Sequence, residues 1–162
     1  MAVIVVATDG SPAAQAALEA AVDLAREGDR LEVITVWRAL QGDFGLAYPP
    51  AAVLEDLLDA ERRHAEATLD DAAATVAATG VPVRTHLAVG DPAERICALA
   101  ETQGARLIAL GTRGHGPMMS LLVGNVSAAV IRHARRPVLV VPDPAAPEAV
   151  ARSHRTLARA NP

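Results

Sequence analysis

The chain has 162 residues and a net charge of −4, which suits one domain with a sizeable core and argues against a general nucleic-acid binder. Hydrophobic residues make up 51% but aromatic ones only 2%, so the core must be built from Ala, Val, Leu and Ile. No apolar run approaches the about 18 residues of a membrane span, Cys97 is the single cysteine and excludes an internal disulfide or a cysteine metal cluster, and MAVIVVATDG lacks the pattern of a signal peptide. The expectation is a cytoplasmic protein with no membrane or nucleic-acid partner.

Val3–Ala7 (VIVVA) is a continuous β-branched run, the mark of a strand buried on both faces. It ends at Thr8-Asp9-Gly10-Ser11-Pro12, where Ser11 suits an N-cap and Pro12 the first helical position. A helix follows to about Glu27, with Gly28 as its stop. Leu31–Val36 is the second strand. Gln41–Pro50 is a loop. The next helix is long, about Ala51 to Ala78, with Val53, Leu54, Leu57, Leu58, Ala65, Leu69, Ala72 and Val76 at helical spacing. Val83–Val89 alternates apolar and polar residues and reads as a third strand with a solvated face or edge. Asp91-Pro92-Ala93-Glu94 has the form of a capping box and starts a helix to about Gln103. Leu107–Leu110 is the fourth strand. A helix over Val126–Ala134 and a strand over Pro137–Val141 complete the pattern.

The order is βαβαβαβαβ. Short links and strict alternation predict right-handed crossovers and an α/β fold, a doubly wound, Rossmann-like five-stranded parallel sheet with helices on both faces. Ligands in such folds bind beyond the carboxyl ends of the strands, where the strand order reverses. The loops after the first and fourth strands face each other there if those strands are neighbours. Residues 1–142 form the expected domain, and Asp143–Pro162, rich in Ala, Pro and Arg, the expected mobile tail.

The second of those loops is the most informative stretch: LIALGTRGHGPMMSLLVGNVS, Leu107–Ser127. A strand runs into glycines and then into a helix that Asn125 is placed to cap. Glycine lets backbone take φ > 0 and approach a ligand closely. A helix start offers unpaired N–H groups and partial positive charge. The spacing is Gly111-x2-Gly114-x9-Gly124, followed by a polar residue. It is not the dinucleotide fingerprint, and the chain has no lysine for a Walker loop. From the loop alone, a phosphate cradle and a plain connector are equally good readings.

Along Val3–Pro142 the chain resembles the universal stress protein family. The resemblance rests on VIVVATDGSPAAQAALEAAVDLA, on VGDPAERI, and on the glycine segment through RRPVLVVP. Gly111, Gly114 and Gly124 fit the family's nucleotide pattern. Asn125 stands where the pattern has Ser or Thr, and Ser127 supplies the next hydroxyl. The resemblance implies ATP as ligand, with Mg2+ an open question because Asn125 offers no hydroxyl. It implies that Asp9 meets the adenosine end and that Ala7 and Thr8 line the same pocket. It implies that Val36 holds adenine through its backbone, and that Leu110, Gly111 and Thr112 border the ribose and α-phosphate. Gly114, His115, Gly124, Asn125, Val126 and Ser127 would surround the phosphates. It also implies a homodimer through the apolar edge strand Pro137–Val141, and a role as stress sensor or regulator.

Each residue also has a plainer reading. Asp9 could be a turn aspartate, His115 and Arg113 solvated loop residues, and Ser127 a support for its own helix start. No G-x-S-x-G elbow or zinc motif is present. Two alternatives stay open: a nucleotide-free interaction module, and a slow ATPase or self-phosphorylating protein.

Overall fold

The computed structural model describes residues 1–37, 50–112 and 124–144. The elements are β1 (Val3–Ala7), α1 (Pro12–Leu24), β2 (Arg30–Trp37), α2 (Ala51–Ala77), β3 (Val83–Val89), α3 (Pro92–Thr102), β4 (Leu107–Gly111), α4 (Asn125–His133) and β5 (Val138–Val141). They form one parallel sheet in the order β3-β2-β1-β4-β5. The expected neighbours pair: Ile4 lies opposite Leu107, Val5 opposite Ile108 and Val6 opposite Ala109.

Strand side chains alternate between faces, so β1 feeds two cores. Ile4 and Val6 join Leu31, Val33 and Ala109 under Leu18 and Ala21 of α1 and Leu69, Ala72 and Val76 of α2. Val3 and Val5 join Ile34, Ile108 and Leu110 under Ala93, Ile96 and Ala100 of α3 and Val130 of α4. Small alanines let the helices sit close to the sheet. Each buried Leu, Ile or Val contributes about 1.5–3 kcal/mol of transfer free energy.

Three expectations need correction. First, α1 ends at Leu24, short of Glu27. Arg26–Asp29 is instead a closed turn, with the Asp29 N–H donating to the Arg26 carbonyl at 2.9 Å and Gly28 at φ +81°. Second, the first half of α2 lies outside the core: only Ala65, Leu69, Ala72 and Val76 are buried, and Val53 and Leu57 are exposed. The helix has 27 residues and is about 40 Å long. The strand it covers, β2, has 8 residues and spans about 26 Å. Third, the cap of α4 is Gly124, with Asn125 the first helical residue.

Glu32 is a charge inside the apolar run of β2, and it is 0% exposed. Arg30 Nε donates to its Oε1 at 2.7 Å, and His86 Nε2 on β3 donates to its Oε2 at 2.6 Å. Burial pushes this carboxyl up, but the bonds from Arg30 and His86 outweigh it and hold the group below its ordinary value.

The amino end of the sheet is closed by Asp29. Its carboxylate accepts from the backbone N–H of Ala2 at 2.8 Å, from that of Arg26 at 3.2 Å, and from Arg106 Nη2 at 3.1 Å. The same Nη2 donates to the Leu24 carbonyl at 2.8 Å. The Ala2 and Arg26 amides do most to hold the Asp29 carboxyl below its usual range, with Arg106 adding to them against the effect of burial.

Candidate functional site

The site lies at the carboxyl ends of β1 and β4, where the strand order reverses. The ladder between β1 and β2 ends with the Thr8 N–H donating to the Ile34 carbonyl at 3.0 Å. The chain then turns away to α1. Thr35 Oγ1 donates to the Thr8 carbonyl at 2.9 Å. Thr8 Oγ1 accepts from the Gly10 N–H at 3.2 Å, and Asp9 Oδ1 from the Ser11 N–H at 3.0 Å. Gly10 has φ +77°, which this turn requires and other residues rarely adopt. Ser11 caps α1 by accepting from the Ala14 N–H at 3.3 Å, and Pro12 occupies the first turn. Asp9 is thereby held exposed at the mouth.

Val36 is placed by strand alternation. Arg30 donates its N–H to Ala2, and Ile34 accepts from Thr8, so even-numbered residues of β2 turn their backbone polar groups toward β1. Leu31 donates toward Pro82, on the β3 side. The N–H and C=O of Val36 therefore face the crevice just past the end of β1.

On the other side of the crevice, Thr112 donates its N–H to Val141 at 2.8 Å, and its carbonyl accepts from the Gly124 N–H at 2.6 Å. That bond brings the start of α4 back to the end of β4. Gly124 caps without a side chain, at φ −69° and ψ 164°. The first bond within the helix is the Ala128 N–H to the Gly124 carbonyl, 2.9 Å. The N–H groups of Asn125, Val126 and Ser127 precede it and carry the positive end of the helix dipole. Arg132 and His133 complement the other end.

The structure gives some of these residues tasks other than the ones their sequence context suggests. Gly111 has no positive φ. A Cβ there would stand 2.6 Å from the Ala13 carbonyl carbon and 2.8 Å from the Ala14 nitrogen. The glycine admits α1 rather than a ligand. Ser127 is buried and donates to the Gly111 carbonyl at 2.7 Å. The Leu110 side chain belongs to the core, so only its backbone reaches the crevice. Gly114 and His115, with Arg113, lie outside the described residues, as does 145–162 of the expected tail. Cys97 is half-buried, and burial pushes its thiol up, as suits an inert packing residue.

Three residues at this end went unnoticed, and a fourth, His64, stands out in the sequence only for lacking metal-ligand spacing. Gln15 of α1 and His64, Thr68 and Asp71 of α2 join Thr8 and Asp9 around a cleft of about 250 Å³. Their signal was available: His64, Thr68 and Asp71 recur along the margin of the apolar stripe Ala65, Leu69, Ala72. Among the described residues, no group of three His, Cys, Asp or Glu side chains is gathered to hold a metal ion, and no helix is long and apolar enough to cross a membrane.

Fold and site together define an α/β protein of the doubly wound, Rossmann-like class, with its crevice between the first and fourth strands. The chain belongs to the universal stress protein family, whose family model matches residues 1–142. It is 32% identical over 143 residues to the universal stress protein YxiE of Bacillus subtilis, covering 85% of this chain and 97% of that one. Its fold matches the universal stress protein UspA of Lactobacillus plantarum with a TM-score of 0.72 and 31% identity, over 86% of this chain and 97% of that one. A universal stress protein solved in complex with cAMP matches with a TM-score of 0.65 and 27% identity, over 88% and 97% of the two chains.

Proposed function

We propose that this protein binds ATP at the β1–β4 crevice and works in the cytoplasm as a stress-response sensor or regulator, as a nucleotide-bound homodimer. The observation that carries the reading is the meeting, at one switch point, of the Thr8–Asp9 turn, the outward backbone of Val36 and the first turn of α4. The cAMP complex of a 27% identical relative supports an adenine nucleotide.

In this reading Val36 pairs adenine through its backbone N–H and C=O. Ala7, Thr8 and Asp9 border the adenosine end, and the carboxylate of Asp9 accepts from ribose hydroxyls. Leu110, Gly111 and Thr112 pass the ligand to the helix. The backbone N–H groups of Asn125 and Val126, with Gly114, His115 and Gly124, hold the phosphates without lysine. Asn125 adds a side-chain amide donor. Any Mg2+ arrives on the phosphates.

Trp37, beside Val36, makes the test direct. Nucleotide-stripped protein is titrated with ATP while tryptophan emission and melting temperature are followed. At a free ATP level 100 times Kd, stability rises by about 2.7 kcal/mol. Asp9→Ala and Gly124→Val are expected to remove the response. Silence in both readouts from the unmutated protein would overturn the proposal.

A further inference from the structure

The hydroxyl of Ser127 has another task than meeting a ligand. The residue is 3% exposed. Its Oγ donates to the Gly111 carbonyl at 2.7 Å, and the Thr112 carbonyl lies 3.4 Å away. A serine hydroxyl has one proton to give, and this one goes to the end of β4. The bond runs from the first turn of α4 to the last residue of the strand.

Gly111 is fixed from its other side as well. The space for a Cβ is filled by Ala13, whose carbonyl carbon and Cβ would stand 2.6 and 2.7 Å away. The first turn of α1, the end of β4 and the first turn of α4 therefore meet at one residue. On the α1 side the tie is steric contact; on the α4 side it is a hydrogen bond. Thr112, next in the chain, is held by Val141 and in turn holds Gly124. This junction sets where the α4 amides stand relative to the Thr8–Asp9 turn.

We infer that Ser127 is a positioning residue: it clamps the N-terminus of α4 to the end of β4, and so aims the first-turn N–H groups without touching the phosphates itself. The role in binding rests on the nucleotide reading above; the clamp does not. Phosphate recognition then depends on Ser127, and recognition of the nucleoside does not.

The test compares the unmutated protein with Ser127→Ala and Ser127→Thr, first by amide exchange without ligand, then by titration with ATP and with adenosine. In Ser127→Ala, exchange at the Ala128 amide speeds up before any ligand is added. ATP affinity falls about tenfold while adenosine affinity holds. Ser127→Thr keeps the hydroxyl and restores both. Ser127→Cys, a weak donor of similar size, carries the same readouts should the alanine variant fail to fold. Lost ATP affinity with unchanged exchange makes the hydroxyl a direct ligand and overturns the inference. Equal losses for ATP and adenosine reduce it to general structural support and overturn it too. If the unmutated protein binds neither compound, the nucleotide reading falls, and the exchange rates alone decide whether the clamp exists.

Discussion

At the amino end of the sheet, one carboxylate gathers groups from far along the chain: Asp29 takes the N–H of Ala2 and the guanidinium of Arg106. At the carboxyl end, the side chains of Thr8 and Asp9 bond to amides two residues away, at Gly10 and Ser11. The long ties there, Thr35 to Thr8 and Ser127 to Gly111, end on carbonyls and hold backbone in place. One end uses its charge to close the fold. The other keeps charge and N–H groups at the surface over a braced backbone. On the proposed nucleotide reading, stability and recognition fall at opposite ends, and changes at each should read out separately.

Gly111→Val breaks that separation most severely. Its Cβ would meet the backbone of Ala13, which cannot yield as a side chain can. We expect a loss of about 3 kcal/mol in urea unfolding, together with the ATP response. A loss below about 1 kcal/mol would mean that α1 moves aside freely.

Asp29→Asn sharpens the contrast. It should lower the melting temperature at pH 7 and leave ATP affinity untouched. The Asp29 carboxyl lies below its ordinary value in the fold. The unfolded chain therefore takes up its proton first as the pH falls. The stability from this charge is whole above the ordinary pKa of about 3.9 and is lost as the pH drops through the native value. The gap between the two proteins should close below about pH 4. A gap equal at pH 3 and pH 7 would show that shape, not charge, closes this end.

Leu139→Glu on β5 should disturb either end least. All four residues of this edge strand are half-buried. If they pair with a second copy, sedimentation will show a shift from dimer to monomer, while the ATP-induced rise in melting temperature persists in part. An unchanged dimer removes β5 from the interface.

Much of this was legible in the sequence. VIVVA and LIAL announced buried strands because parallel sheets bury both faces, and strict alternation gave the fold class, with the switch point conditional on the first and fourth strands being neighbours. The structure confirms β1 beside β4, and the family and fold follow. Three of the misses share a cause: each depended on a partner outside its own element. Glu32 sits among apolar neighbours, and one of its two side-chain hydrogen-bond partners, His86, comes from another strand. Gly111 was read for its backbone freedom, whereas its reason is α1, about a hundred residues upstream. Asn125 was taken as the cap on residue preference, but the Thr112 carbonyl draws Gly124 into that place. The overhang of α2 could not be seen from periodicity, which reports a stripe and not what covers it.

The triad of buried Glu32 with half-buried Arg30 and His86 also has a consequence for how the sheet assembles. β3 is an edge strand with Leu87 and Val89 exposed, the kind of segment that can slide along its neighbour. A slip of one residue would carry His86 to the opposite face and leave Glu32 buried with half its partners. Leaving a buried carboxylate short of a hydrogen-bond partner costs about 1–3 kcal/mol or more. Misalignment is therefore penalised by a lost hydrogen bond where hydrophobic shape alone would tolerate it. The triad acts as a register key, and the outer rail of the sheet has one position in which it fits.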